Sequence, residues 1–291
     1  MGVDGFSKCH PGVNFLFFIG AICFGVVFQH PLYLAAGLLC AGCYYLLLNG
    51  HRAWKSMGFM LAVFLAITLI NPLFNTQGIH VLFRVFGRPY TAEALGYGAA
   101  VGAVLWITLL WFGCYNHVMT EDKFVALFGN LAPSLSLLLV MILRLIPNLI
   151  GKAKQITHTR RCIGKGVQDA PVKDKLSAGM TVLLTLSGWA LENGITTADS
   201  MTSRGYGSTK RTGFQSYRFR GSDKWLTVIM LACLLLTAYG AFTGSTETVY
   251  TPHFSAAPVS VFLPVYCLFL LIPTYIHIKE VLLCRIFISK I

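Results

Sequence analysis

The residues ALGYGAAVGAVLWITLLWFGCY, at positions Ala94–Tyr115, decide the fold class. These 22 consecutive residues carry no charged side chain, and about 20 apolar residues are enough for a helix to cross the hydrocarbon core of a bilayer. The run is continuous and does not alternate between apolar and polar positions, which favours a helix over a barrel strand. We therefore predict a transmembrane helix at this position.

Six further apolar runs lie on both sides of this one. The first of them follows a weakly charged segment and is followed at once by a second run, so we predict a retained membrane helix and not a cleaved signal peptide. The chain is therefore predicted to be all-α, a polytopic helical membrane protein. The six runs are Asn14–Phe28, Pro31–Leu48, Ser56–Asn71, Ala132–Ile150, Trp225–Phe242 and Pro258–Ile276.

The composition supports a membrane protein and argues against several chemistries. Of 291 residues, 55% are hydrophobic and 12% are charged, about half the charged share of an ordinary soluble domain. The eight histidines and nine cysteines form no pattern typical of a metal site, so we predict neither a metal nor a cofactor. No G-x-x-x-x-G-K-[ST] run is present, and the apolar runs hold almost no ionisable residues. The chain is therefore not expected to be an enzyme.

Positive charge is concentrated in one segment of the chain. Residues Gly151–Lys224 contain thirteen lysines and arginines and five acidic residues, which gives +8 of the total net charge of +12. Because positive residues beside membrane spans stay preferentially in the cytoplasm, we expect this segment to lie inside the cell. The loop Thr243–Ala257, which has no lysine or arginine, is expected outside, and the C-terminus inside.

These features divide the chain into three predicted regions. Residues 1–121 hold the N-terminal membrane helices, 122–223 hold an interfacial or membrane helix and a cytoplasmic coupling-helix region, and 224–291 hold the C-terminal membrane helices and a short basic tail. The topology of the first region is left open, as is whether Asp122–Ile150 crosses the membrane or begins as an interfacial helix broken near Pro133.

Two long helices in the central region are predicted to end in basic, glycine-containing tips. The first runs from about Leu143 to Thr159 and ends in Arg160-Arg161-Cys162-Ile163-Gly164. The second runs over Asp174–Ser203, with apolar or small residues at intervals of three and four, and ends at Arg204-Gly205. Glycine favours the left-handed conformation that follows a helix, and arginine complements the negative end of the helix dipole. The pair is thus a good helix stop on structural grounds alone.

Several motifs in this order resemble the transmembrane component of energy-coupling factor (ECF) transporters. A weaker resemblance extends upstream, so that it covers most of the chain. The stronger motifs are Arg144-Leu145-Ile146-Pro147, the helix ending near Gly164, Ala190-Leu191-Glu192, Ala198 to Gly207, Lys210-Arg211-Thr212 and Tyr217-Arg218. The weaker ones are His10-Pro11, His30-Pro31, Asn71-Pro72 and Asp122-Lys123-Phe124.

The resemblance implies a scaffold in the bacterial plasma membrane. It implies two cytoplasmic ABC-type ATPases docked on the two tips, and a membrane-embedded substrate-binding subunit for a vitamin or transition-metal ion. Arg204 and Gly205 match the second docking motif. In the first motif, the position of the usual arginine is occupied by Ile163, before Gly164. We expect packing to contribute more there, with Arg160, Arg161 or Lys165 as alternative sources of charge.

Three other functions fit the sequence less well. A conventional ABC permease would carry a Glu-Ala-Ala loop with a following glycine, which is not recognisable at Ala190–Gly194. A secondary transporter or channel would show ionisable residues within the spans or an internal repeat, and a membrane enzyme would need convergent ionisable groups. A nucleic-acid partner is not expected, because the basic segment has no recognisable nucleic-acid-binding module.

Overall fold

The computed structural model describes residues 5–75, 80–85, 88–128, 133–164, 172–208, 217, 219–244, 246, 248–250, 255–256 and 261–288. The chain forms two compact units. The first, the membrane unit, comprises Met1–Phe124 and Tyr217–Ile291, and the second comprises Val125–Ser216.

The described residues form nine α-helices and four short strands. The helices are α1 Pro11–Val27, α2 Pro31–Asn49, α3 Arg52–Phe74, α4 Ala92–Val118, α5 Glu121–Phe128, α6 Pro133–Cys162, α7 Val172–Ser203, α8 Gly221–Phe242 and α9 Phe262–Ile288. The strands are β1 Val81–Val85, β2 Arg88–Thr91, β3 Thr248–Val249 and β4 Ser255–Ala256.

Where the structure describes them, the seven apolar runs lie on helices except at Phe28 and Val261, which confirms the helical prediction for those runs. Six of these helices are long and apolar enough to span a membrane, which indicates a multi-pass membrane protein. The helix α1 has 17 residues, so that its crossing of the membrane stays a prediction. The six candidate spans are Pro31–Asn49, Ala53–Phe74, Ala92–Val118, Ser134–Cys162, Gly221–Phe242 and Phe262–Cys284.

Two helices differ in extent from the predicted elements. The run Ala132–Ile150 and the helix expected from Leu143 are one continuous helix, α6, which passes through Pro147. The last helix starts at Phe262 and continues to Ile288, twelve residues beyond the predicted end at Ile276. Lys279 therefore lies on a helix and not in a basic tail. The apolar run ends there because charges appear, but no glycine or proline follows to end the helix.

Two small antiparallel hairpins accompany the helices and were not predicted. Strand β1 pairs with β2, and β3 pairs with β4. At the end of β2, Thr91 Oγ1 accepts a hydrogen bond from Ala94 N at 3.3 Å, so the first hairpin leads directly into the N-cap of α4.

The helices α1 and α2 begin with the same device. His10 Nδ1 accepts from Gly12 N at 3.1 Å, and His30 Nδ1 accepts from Leu32 N at 3.2 Å. In each case proline follows at the first helical position, where its missing N–H costs nothing. The two His-Pro pairs of the sequence are thus helix N-caps.

Aromatic side chains fill the core of the membrane unit. Phe17 and Phe18 of α1 lie against Trp111 of α4, with ring centroids 5.3 Å and 6.3 Å apart. All three side chains are fully buried, as is Tyr44 of α2. This packing fixes α1, α2 and α4 against one another.

The segment before α1 is tied to the end of α4 by a buried lysine. Lys123 is only 5% exposed. Its Nζ donates to Ser7 O at 2.6 Å, to Ser7 Oγ at 2.6 Å and to Val118 O at 2.7 Å. These oxygens compensate for the loss of water around the ammonium group. On the surface of the same unit, Lys8 forms an ion pair with Glu280 of α9.

Candidate docking site

The predicted site residues lie on α6 and α7, which pack against each other in the second unit. Lys152 Nζ of α6 lies 5.9 Å from the ring centroid of Trp189 of α7. Arg160 Nη1 of α6 donates to Ala178 O of α7 at 3.4 Å. Residue numbers rise along α6 while they fall along α7, so the two helices are antiparallel where they touch.

Helix α7 ends in a Schellman motif at Arg204-Gly205. Gly205 N donates to Thr202 O at 2.9 Å, and Tyr206 N donates to Met201 O at 3.0 Å. These are the two hydrogen bonds that define the motif, with Arg204 at the C-cap and Gly205 at the position after it. The φ angle of Gly205 is +80°, a left-handed conformation that other residues rarely adopt. The predicted glycine stop is confirmed.

Helix α6 ends at Ile163-Gly164 with one of these two hydrogen bonds, since the residue that would make the other, Lys165, lies outside the described residues. Gly164 has a φ angle of +76°, and its N–H donates to Arg161 O at 3.1 Å. Ile163 therefore occupies the C-cap position of α6, as Arg204 does in α7. Ile163 is the residue that the motif resemblance set at the position of the usual arginine. We call Arg160–Gly164 the first tip and Arg204–Gly205 the second tip.

The side chains of the two tips are not equally available to a partner. Ile163 is 65% exposed, and Arg161 and Arg204 are also exposed. Arg160 is half-buried, because its guanidinium group bonds to Ala178 of α7. The Nε of Arg160 is buried and has no hydrogen-bond partner among the described residues. The structure thus places Arg160 within the helix pair, while its docking role stays a prediction. Lys165 lies outside the described residues.

The two tips are far apart along the pair. The first tip lies near Ala178, which contacts Arg160. From Ala178 the chain follows α7 for 25 more residues to Ser203, just before Gly205, which corresponds to roughly 40 Å of helix. The structure therefore groups four of the predicted site residues at one end of the pair and two at the other.

An apolar stripe on α7 faces away from α6. This stripe was predicted from the spacing of apolar residues, but the sequence did not show that a second face, marked by Ala178 and Trp189, would pack on α6. The only signal for that face was their spacing of eleven residues, or three helical turns. The large side chains of the stripe are 58–77% exposed. They are Met180, Leu183, Leu184, Leu191 and Ile195 of the predicted stripe, together with Leu176, which was not predicted.

No group of three or more histidine, cysteine or acidic side chains among the described residues is arranged to hold a metal ion. The chain matches no protein-family model and no curated protein. The resemblance to ECF transporters therefore stays a prediction based on the sequence motifs.

Proposed function

We propose that this chain is the transmembrane coupling subunit of an ECF-type ABC importer in the bacterial plasma membrane. It links two cytoplasmic ATPase subunits to a membrane-embedded substrate-binding subunit that takes up a vitamin or a transition-metal ion. The observation that carries this proposal is the pair of exposed helix ends with matching backbone geometry, Ile163-Gly164 and Arg204-Gly205.

A helix end of this kind is suited to insertion in a groove of another protein. The glycine ends the helix, and the side chain at the C-cap before it is exposed. At the second tip that side chain is Arg204, which is exposed, and guanidinium groups make bidentate hydrogen bonds to carboxylates. A separation of roughly 40 Å along α7 gives each tip room for its own ATPase subunit.

Helix α6 provides a direct mechanical connection. It is continuous over 30 residues, from Pro133 to Cys162, which corresponds to roughly 45 Å. The helix is a candidate membrane span over Ser134–Cys162, its first half carries the apolar run that ends at Ile150, and its C-terminal end is the first tip. Movement of an ATPase bound at that tip would therefore act on the membrane end of the same helix. The movement is transmitted through a continuous helix without a flexible joint.

The remaining surfaces suit membrane partners. The exposed stripe on α7 and the outer faces of the candidate spans are apolar, and large apolar patches on a protein mark membrane or protein interaction sites. The chain has no phosphate-binding loop, so hydrolysis falls to the ATPase partners. In this proposal the basic segment Gly151–Lys224, which contains both tips, and the C-terminus lie in the cytoplasm.

An ATPase assay on the purified chain, alone and reconstituted with the two ATPase subunits of its transporter, tests the scaffold role. We expect the chain alone to hydrolyse no ATP. In the complex, we expect the ATPase subunits to hydrolyse ATP faster than they do without the chain. Robust hydrolysis by the isolated chain, free of contaminating ATPases, would contradict the proposal.

Cysteine labelling tests the orientation. Ser208→Cys and Ser255→Cys are placed singly in a variant without native cysteines, and intact cells are treated with a membrane-impermeant maleimide. We expect labelling at position 255 and protection at position 208, because Ser208 belongs to the basic segment and Ser255 to the loop without lysine or arginine. External labelling at position 208 would rule out a cytoplasmic tip.

A further inference from the structure

Three sequence motifs to which the proposed function gives no role meet at one place in the membrane unit. His10-Pro11 opens α1, and Asp122-Lys123-Phe124 lies where the chain leaves the membrane unit. Tyr217-Arg218 lies where the chain returns to this unit, and it leads directly to Phe219. All three places are joined through the segment Phe6–His10, which we call the N-terminal clasp.

The clasp holds the point where the chain leaves the membrane unit. Lys123 stands directly before Phe124, after which the second unit begins, and its ammonium group donates to Ser7 O and Ser7 Oγ, both at 2.6 Å. A third bond, to Val118 O at 2.7 Å, holds the same group against the end of α4. Lys123 is almost completely buried, and charge-assisted hydrogen bonds of a buried group are strong and costly to break. This connection is therefore fixed to the clasp.

The clasp also contacts the point where the chain returns. The rings of His10 and Phe219 have their centroids 4.7 Å apart and their planes at 58°. Phe219 stands directly before Arg220, the N-cap of α8, whose backbone N–H donates to Asp223 Oδ2 at 3.1 Å. His10 is itself the N-cap of α1. The ring contact thus joins the starts of α8 and α1.

The clasp is a short turn that is anchored in the core. Its backbone hydrogen bonds run from Lys8 N to Gly5 O and from Cys9 N to Phe6 O, both at 3.1 Å. Phe6 is fully buried, and its ring centroid lies 5.4 Å from that of Phe17 of α1. Because a core of this kind is close-packed, a displacement of the clasp displaces α1.

The chain connects the second unit to the membrane unit at these two points, and the same clasp contacts both. Building on the proposed function, we infer that the N-terminal clasp transmits the nucleotide-driven movement of the second unit to α1. Lys123 and His10 are its positioning residues, since Lys123 holds one connection through Ser7 and His10 holds the other through Phe219. A movement at either connection therefore acts on the first turn of α1.

Hydrogen–deuterium exchange in the assembled transporter tests the inference. Exchange of the amides of Phe6–Val13 is compared between nucleotide-free ATPase subunits and ATPase subunits trapped with ATP and vanadate. In the unsubstituted chain we expect trapping to change the exchange rate by about tenfold or more, the factor that corresponds to one charge-assisted hydrogen bond. Lys123→Met removes the ammonium group and should abolish this change, while ATPase recovery and ATP hydrolysis stay normal. Lys55→Met is the matched control, since Lys55 is exposed on α3, and it should keep the response.

A substitution at the second connection gives an independent test. Phe219→Ala leaves no cavity in the core, because Phe219 is 45% exposed. We expect it to weaken the nucleotide response of Phe6–Val13 without changing the melting temperature. The control Phe242→Ala, at the other end of α8 and 91% exposed, should keep the response. If Lys123→Met does not assemble, Phe219→Ala decides alone.

Two results would overturn the inference and leave the proposed function intact. The first is a normal nucleotide response of Phe6–Val13 in both Lys123→Met and Phe219→Ala. The second is an unsubstituted chain in which trapping changes the exchange of α7 but not that of Phe6–Val13. Failure of the unsubstituted chain to recover any ATPase subunit would instead count against the proposed function itself.

Discussion

The membrane unit and the α6–α7 pair differ in whether they bury large side chains. In the membrane unit, Trp111 is fully buried among aromatic rings of α1 and α2. On α7, Leu184 is 68% exposed, and its neighbours along the stripe are similar. Both regions expose large apolar side chains, as Phe59 does in the membrane unit at 71%, but the membrane unit also has a buried aromatic core. Among the residues described on α6 and α7, only Ala178 is buried, so the helix pair consists mostly of surface to which other molecules can bind.

Truncation of one large side chain in each region should give the largest contrast in stability. Trp111→Ala removes a fully buried indole, and we expect it to lower the free energy of unfolding by roughly 3–5 kcal/mol. Leu184→Ala removes a side chain that has few contacts within the chain, and we expect a change within about 0.5 kcal/mol. Thermal unfolding of both purified variants in the same detergent measures the contrast. Equal destabilisation would show that the α7 stripe is packed in the isolated chain.

The sequence predicted the parts of this comparison that depend on local pattern. The seven apolar runs became helices, and the glycines at 164 and 205 adopt the left-handed conformation, because both features depend on neighbouring residues. The sequence did not show which face of α7 packs on α6, since the contacts of Ala178 and Trp189 depend on the partner helix. The predicted helix from Leu143 to Thr159 already passed through Pro147, but the sequence did not show that this helix and the apolar run ending at Ile150 form the single helix α6.

Glycine-to-alanine substitutions compare how closely the backbone is packed in the two regions. A Cβ added at Gly98 of α4 would lie 3.0 Å from Thr68 O of α3, so Gly98→Ala must push two helices apart. We expect a loss of roughly 1–3 kcal/mol. At Gly194 of α7 an added Cβ meets nothing within 4 Å, and Gly194→Ala should gain about 0.5–1 kcal/mol from helix propensity. The same melting measurement checks both. We expect the two substitutions to change the stability in opposite directions. Destabilisation by Gly194→Ala would contradict the absence of neighbouring atoms around Gly194.

The surface ion pair of Lys8 and Glu280 should have the smallest effect. The hydrogen bond to Glu280, followed by its charge, raises the pKa of Lys8 above its usual value. The pair therefore stabilises the fold below the unfolded-state pKa of lysine, and its contribution is lost as the pH rises through the higher folded-state pKa. Because Lys8 is largely exposed, we expect only roughly 0.2–1 kcal/mol. Lys8→Met should lower the melting temperature slightly at about pH 8 and match the unsubstituted chain near pH 12. A difference that grows with pH would contradict this assignment.

Charge reversal at the second tip tests the docking role most directly. The measurement is the recovery of ATPase subunits, and of ATP-driven uptake, with Arg204→Glu in the assembled transporter. Lys154→Glu is the matched control, since it makes the same charge change at an exposed position inside α6, before the first tip. As a helix terminus alone, Arg204 would contribute only about 0.3–1 kcal/mol through the helix dipole. As a docking residue beside a buried carboxylate, its loss costs about 2–5 kcal/mol of binding free energy. We predict that Arg204→Glu keeps normal expression and membrane insertion but loses ATPase recovery or uncouples hydrolysis from uptake, while Lys154→Glu retains both. Normal complex recovery together with normal uptake in Arg204→Glu would show that the residue only ends the helix.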